Sequence, residues 1–320
     1  MGMKYLSCAL AFAAALSCSG CSDIRPEPLR VPAGVVPRFV RVKISADTRP
    51  VSVPLEEYVR GTIISEFAPP TGDPAYVERM LEVQAVIART YAAAHIGRHK
   101  RDGYDLCSTT HCQLYQPGRL KTSSWAPLAA EAAEHTAAQI LWFDDAPASA
   151  LFHADCGGHT SSARDIWGGT PRPYLGGSAD DGAAQNAHAS WRYEVSRADL
   201  IAALNADPRT RVGKTLREIL ISDRDEAGRA VLVVLNGSRE PVMRGEELRT
   251  ILSRAFGARA IRSTRFEIAR TGQRFVFTGR GFGHGVGLCQ AGAYARLKAG
   301  ARPEQVLARY YPGTRLIVMR

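Results

Sequence analysis

The chain has 320 residues, of which 45% are apolar and 8% aromatic. That is enough to bury the core of one large domain or two ordinary ones, and too apolar for global disorder. Lys and Arg number 41 against 31 Asp and Glu, a net charge of +10 that suits an anionic polymer or anionic lipid. No zinc-finger, basic-helix or RNA-binding signature accompanies the charge, so no nucleic-acid partner is expected.

Residues 1–21 read as a targeting leader. Lys4 is followed by an apolar run over 6–16 that is too short to remain as a membrane-spanning helix. Cys18-Ser19-Gly20-Cys21 is similar to a bacterial lipobox with Cys21 as the lipidated residue, although Cys18 stands where Leu is usual. The expected location is extracytoplasmic, on the periplasmic or outer face of a membrane and anchored through Cys21. Residues 22–48, with prolines at 26, 28, 32 and 37, read as a tether and first strand. The main domain is expected over 49–320, divided into lobes of about 49–185 and 186–320.

In chain order, RFVRVKISA from Arg38 alternates at period two, as a strand does. Pro54 ends the next strand, and residues 55–64 carry Leu55, Val59 and Ile63 at helical spacing. After the loop Ala68-Pro69-Pro70-Thr71-Gly72, Asp73-Pro74 opens a long helix as cap and first residue. Its apolar stripe is Val77, Leu81, Ala85, Ala88 and Tyr91, and Gly97 stops it. Residues 104–118 read as loop or short strand, 129–136 as a helix, and 139–145 and 148–158 as strands. Residues 157–190 are Gly- and Asp-rich, long for a loop without a function. Beyond Trp191, helices are expected at 197–205, 215–220 and 245–256, and a buried strand at 230–237. A hairpin over 265–281 turns at Thr271-Gly272. Two helices, 290–299 and 302–311, precede a last strand. Strands and helices mix without a strict βαβ alternation, which indicates an α+β fold.

Four polar blocks fall outside these elements: Ser65-Glu66; CSTTHCQLY from Cys107; HADCGGHT from His153, with Trp167 and Tyr174 downstream; and GRGFGHGVGLCQ over 279–290. The last holds five alternating glycines, which allow positive φ and close backbone approach. Phe282, His284 and Gln290 are its candidates for facing a ligand, with His284 expected to titrate near neutral pH. Of seven cysteines, 8, 18 and 21 belong to the leader and its boundary. The other four are an even number, for which an oxidising compartment favours disulfides.

The order PLEEYVRGTIISE, EVQAVIARTYA, CSTTHCQLYQ, CGGHTSS, GRGFGHGVGLCQAGA and ARYYPGT resembles the SpoIID/LytB domain family, the stage II sporulation protein D type of peptidoglycan enzyme, from about residue 51 to 314. The resemblance implies one elongated α+β domain with a glycan-binding cleft. The activity it implies is that of a lytic transglycosylase, which cleaves the MurNAc-GlcNAc bond of glycan strands and leaves 1,6-anhydro ends. Glu66 is the implied single catalytic acid, with Asp155, Asp165, Asp180 and Asp181 as fallback acids. Ile63, Ile64, Phe67 and Ala68 supply the apolar flanks that keep such a carboxyl protonated. Ser65, Gln84, Arg89, Gln113, Tyr115, Gly157, Gly158, Trp167, Tyr174, His284, Gly285 and Gln290 are the candidate substrate-binding residues. Gln84 and Arg89 lie five apart, so at most one of them faces the site. Many members carry Met at position 67, Trp at 282, Ser at 156 and Met-Ser at 288–289, where this chain has Phe67, Phe282, Cys156 and Leu288-Cys289.

Catalysis is expected to need no cofactor. Some members bind zinc at the block holding Cys107, His111 and Cys112, with His99, Cys156 or His159 as candidate fourth ligands. Disulfides among Cys107, Cys112, Cys156 and Cys289 are the competing expectation. A non-catalytic reading stands beside the enzymatic one: part of the family resembles amidase enhancers, which would make the partner a cell-wall amidase. A metal-dependent amidase would need a His and carboxylate set with an open position, and none can be assembled.

Overall fold

The computed structural model describes residues 26–29, 35–68, 73–183 and 190–319. The leader, with Cys21 and its lipidation, lies outside the described residues. The stretch read as tether contains a short strand, β1 (Glu27–Leu29), paired parallel to the end of the chain. A Pro-bearing segment suits such an edge position. Strands β2 (Phe39–Lys43) and β3 (Val51–Pro54) pair antiparallel, as the alternation of apolar and polar residues requires.

Helix α1 (Leu55–Glu66) follows at once. It stops at Glu66 because Phe67 is extended, its N–H still bonded to Ile63 O at 3.1 Å. Ala68 precedes Pro69, which disfavours a further helical turn. Asp73 caps α2 (Pro74–His95) by accepting from Ala75 N–H at 2.9 Å. Next come β4 (Leu106–Cys107), α3 (Arg119–Thr122), α4 (Ala126–His135), β5 (Gln139–Phe143), β6 (Ala146–Pro147), β7 (Phe152–His153) and α5 (Ala163–Trp167).

A second group runs β8 (Trp191–Ser196), α6 (Arg197–Ala206), β9 (Leu216–Arg224), β10 (Ala230–Gly237), β11 (Val242–Arg244), α7 (Gly245–Phe256), β12 (Phe266–Thr271) and β13 (Arg274–Gly279). The chain closes with β14 (Leu288–Cys289), α8 (Gln290–Lys298), α9 (Pro303–Tyr310) and β15 (Arg315–Met319). The architecture is α+β, with helices packed on several small sheets.

The apolar residues sort into two main cores. The first joins α1, α2 and α4 to residues from β2 and β5. It also takes Val286, Leu288, Ala293, Leu297, Val306, Leu307 and Leu316 from the end of the chain. The second is built only from residues between Trp191 and Phe277. A lobe expected over 186–320 therefore ends near residue 280. Everything beyond packs back on the first core, because α8 and α9 lie against α2 and β15 pairs with β5.

The helix expected at 215–220 is strand β9. Leu216 and Ile219 are both buried, a spacing of three that a helix face would also show. Opposite β10, Asn236 pairs Glu218 but Gly237 pairs Leu216, so Arg217 is an extra, bulged residue. A bulge changes the inward spacing from two to three. The hairpin expected at Thr271-Gly272 forms as β12–β13 in full register.

A candidate active site at the end of helix α1

Gly61 on α1 creates the site's first contact. The ring of Tyr115 lies flat on it, so close that a Cβ there would meet Tyr115 Cδ2 at 2.8 Å. Tyr115 also stacks on Tyr58 at 5.4 Å, and Tyr58 OH donates to Gln113 Oε1 at 3.1 Å. Ser108 closes the loop on itself: its hydroxyl donates to Tyr115 O at 2.7 Å and accepts from Tyr115 N–H at 2.8 Å. Ser65 Oγ donates to Gly61 O at 2.6 Å and accepts from Gln116 N–H at 3.1 Å. The Cys107–Tyr115 block is thereby laid along the last turn of α1.

This brings the Leu114 N–H to Glu66, where it donates to Oε1. Burial raises the Glu66 carboxyl to about 7, and the Leu114 N–H partly opposes the rise. No Lys or Arg contributes to the shift, so no nearby cation favours the anion. From the far end of the chain, Gln290 Nε2 donates to Glu66 O at 3.2 Å and to Gln84 Oε1 at 3.4 Å. Gln84 and Gln290, both candidate substrate-binding residues, thus meet at the main chain of Glu66.

Other candidates are placed differently. Arg89 is fully buried, with two bonds to Glu56 (2.6 and 2.8 Å) and others to Ala133 O and Gln139 O. It braces α2 against α1 and α4 and cannot touch a substrate. Gln113 and Tyr115 are buried beneath the loop and shape it from below. Tyr174 is buried with its OH accepting from Ser149 N–H at 3.1 Å. The fallback acids are occupied. Asp155 Oδ1 accepts from Gly157 N–H, Asp165 from the Ser162 hydroxyl, and Asp180 from Tyr310 OH and Arg296. Asp181 also takes Arg296.

The glycine-rich run packs on protein. Gly281, Gly283, Gly285 and Gly287 all have positive φ. A Cβ at Gly281 would meet Asp155 O at 2.7 Å, and one at Gly283 would meet His153 Cβ at 2.8 Å. At Gly285 it would strike the guanidinium of Arg229, and at Gly287 the carbonyl of Leu151. Gly157 likewise sits against Arg280 and Gly281, and Gly158 faces Arg265. Arg229 is fully buried and stitches the two glycine blocks, donating to Gly283 O at 3.2 Å and Cys156 O at 3.0 Å.

His284 accepts from Val286 N–H at 3.0 Å, and its ring lies 5.0 Å from Trp167 and 5.5 Å from His153. Burial leads the fall of its pKa to about 4, so it is neutral at pH 7 rather than poised to titrate there. Trp167 above it is 44% exposed. A cavity of about 300 Å³ opens beside the same region, lined by His159, Arg164, Arg172, Asp225 and Glu226, and Glu66 is not on its wall.

The four thiols of the described residues form no disulfide and sort into two clusters. His99, Cys107, His111 and Cys112 bring one donor atom each within 4.8 Å of the others. Cys112 Sγ is 3.4 Å from His99 Nε2 and 3.6 Å from His111 Nδ1, and Cys107 Sγ is 3.7 Å from His111 Nδ1. Asp102 meets the other nitrogen of His99 at 3.4 Å, the usual outer support of a metal-binding imidazole. Of the three candidate fourth ligands, His99 joins the cluster, whereas Cys156 belongs to a second group with His153 and Cys289.

A half-buried glutamate under a loop that carries a Cys/His cluster, in an α+β fold, is the arrangement set beside known proteins. Residues 47–143 match the SpoIID family, described as stage II sporulation protein. Residues 181–287 match a domain of unknown function, DUF8618, whose span coincides with the second core. An uncharacterized protein of Brachyspira hyodysenteriae is 30% identical over 270 residues, 82% of this chain and 66% of that protein. The stage II sporulation protein D of Bacillus subtilis is 26% identical over 310 residues, 93% and 81% of the two chains. An amidase enhancer of Bacillus subtilis is 24% identical over 283 residues, 74% of this chain and 37% of that protein. Residues 47–143 thus carry a SpoIID-type domain, and the chain is similar to a stage II sporulation protein D over most of its length.

The sequence reading did not anticipate Leu114 N–H, Tyr58 or Arg229. The first two are contacts between segments some fifty residues apart, with no local signal. Arg229 had a faint one, a charge directly before the apolar run of β10.

Proposed function

We propose that the protein is a peptidoglycan lytic transglycosylase with Glu66 as its only acid–base group. The observation that supports this most is the half-buried Glu66, raised to about 7 with no cation beside it. A carboxyl so placed keeps its proton up to neutral pH. It would donate that proton to the glycosidic oxygen as the MurNAc C1–O bond breaks. The carboxylate would then accept the proton of the sugar's own 6-hydroxyl as that oxygen bonds to C1. One residue thus serves both steps, no water is consumed, and the acid is regenerated. The occupied state of Asp155, Asp165, Asp180 and Asp181 agrees with a one-carboxylate scheme, in contrast to the carboxylate pair of ordinary glycosidases. Digestion of intact and peptide-stripped sacculi tests it. Anhydro-ended products from the wild type and not from Glu66→Gln are expected; equal release by both overturns it.

The quartet His99, Cys107, His111 and Cys112 fits zinc: two soft sulfurs, two imidazoles and an outer carboxylate. Burial and the neighbouring Arg98 lower the His111 pKa, which leaves the neutral imidazole that ligates. Bound zinc would cross-link the loop as a structural ion. The chain's own part is then to hold Leu114 N–H against Glu66. Export and an anchor on Cys21 belong to the same proposal, since the substrate lies outside the cytoplasm. Cys21→Ser is expected to leave the membrane fraction or to accumulate as precursor, and unchanged fractionation refutes the anchor.

A second reading rests on the likeness to the amidase enhancer. In it the cleft holds glycan while a separate amidase cuts. Sacculi treated with this protein alone would then yield no new ends, and an added amidase would work faster.

A further inference from the structure

We propose a second metal site, buried between the two glycine blocks, in which His153 Nε2, Cys156 Sγ and Cys289 Sγ bind a thiophilic closed-shell cation, Zn²⁺ or Cu⁺. The three donor atoms lie within 4.8 Å of one another and all three residues are buried. They come from different segments: β7 carries His153 beside Cys289 of β14 in a parallel pair, and Cys156 follows the turn.

The imidazole supplies the first independent observation. His153 Nδ1 lies 3.2 Å from Val286 O, so that nitrogen carries the proton and donates it. The tautomer leaves a lone pair on Nε2, and Nε2 is buried with no hydrogen-bond partner. A buried acceptor without a donor is destabilising unless something occupies its lone pair. A backbone carbonyl on the opposite ring nitrogen is the usual support of a metal-binding histidine.

The sulfurs supply the second. Cys289 Sγ accepts from Cys156 N–H at 3.2 Å and from Gly292 N–H at 3.4 Å, the latter at the N-terminus of α8. Cys156 Sγ accepts from Gly158 N–H at 3.3 Å. Backbone N–H groups and a helix N-terminus both favour thiolate over thiol. Each thiol releases one proton to solvent on binding. Two thiolates and Zn²⁺ sum to zero charge, as a dry interior favours. Soft sulfur in a three-donor set suits Cu⁺ equally.

The site would also reach the reaction. Cys289 directly precedes Gln290, whose side chain bonds Glu66 O. A cation there ties the start of α8 to the His153–Cys156 segment and so holds Gln290 in place.

The test is metal content of the full chain purified without chelator and with oxygen excluded, then titration of the apoprotein with Zn²⁺ and with Cu⁺ separately. Wild type is expected to hold about two equivalents. Cys156→Ser/Cys289→Ser is expected to hold about one, and so is Cys107→Ser/Cys112→Ser. The first double variant should fold, because Ser is nearly isosteric with Cys, and its circular dichroism spectrum checks this. Which ion fills the last equivalent in Cys107→Ser/Cys112→Ser names the cation. His153→Gln should weaken that equivalent at least tenfold. Equal metal content in wild type and Cys156→Ser/Cys289→Ser overturns the proposal, as does a Cys156–Cys289 cross-linked peptide in the unreduced protein. Loss of metal only with Cys107→Ser/Cys112→Ser refutes this site and leaves the surface quartet standing.

Discussion

The end of α1 and the run 279–290 are both conspicuous in the sequence, yet they work in opposite ways. At Glu66 the chain places one ionisable group among apolar neighbours and gives it a single N–H, so its chemistry comes from what is withheld. In the glycine run every other residue is stripped of its side chain so that two backbones can touch. The glycines meet Asp155 O, His153, Arg229 and Leu151 O, which is packing, and the run's charged and polar side chains are those of Arg280, His284 and Gln290. A motif's visibility therefore says that its residues are constrained; contact geometry says whether catalysis or packing constrains them.

The strongest test of this contrast is Glu66→Gln. It should lower anhydro-product release at least about a hundredfold while the circular dichroism spectrum is unchanged. A variant near wild-type rate would remove Glu66 from the chemistry altogether. Gly287→Val should do the reverse. Its Cβ would run into the Leu151 carbonyl at a positive φ, so more than about 3 kcal/mol of stability should be lost, read as a fall in Tm. A stable Gly287→Val with lost turnover would mean that the run contacts glycan after all.

The third test separates function from stability at one residue. Folded Glu66 titrates near 7 and the unfolded side chain near 4.5, so between those values the native state holds a proton the unfolded chain has released. Native stability from this group is complete below about pH 4.5 and declines as pH rises to about 7. Glu66→Gln removes the titration. At pH 8 it should be more stable than wild type by roughly 3 kcal/mol, and at pH 4 the two should match. A gain independent of pH would show that the carboxyl is not held protonated. Turnover by wild type should fall above about pH 7 for the same reason. The smallest effect is expected for His284→Ala. That side chain is neutral at pH 7 and touches Trp167 rather than Glu66, so turnover should drop less than tenfold, a modest loss on the scale of catalytic groups. A hundredfold loss with unchanged Tm would make it part of the machinery.

Local order along the chain accounts for much of the molecule. The Asp73-Pro74 start of α2, the alternation of β2 and β3, the hairpin at Thr271-Gly272 and the apolar flanks of Glu66 all depend on residues a few positions apart. Capping, pleat and turn chemistry act at that range. His99, Cys107, His111 and Cys112 lie within fourteen positions of each other, so their meeting in one cluster was also within reach of the sequence. Other features needed the folded chain. Strand β9 reads as a helix until its bulge meets β10. The burial of Arg89, Gln113 and Tyr115 depends on how α1, α2 and the loop pack. The Leu114 N–H on Glu66, Arg229 between the glycine blocks, and Cys156 beside Cys289 join segments from about fifty to over a hundred residues apart. The return of 286–319 to the first core depends on which apolar faces remain uncovered once the second core has closed on itself. No pattern within a stretch of sequence records that, because burial is a property of the partner surface as much as of the residue.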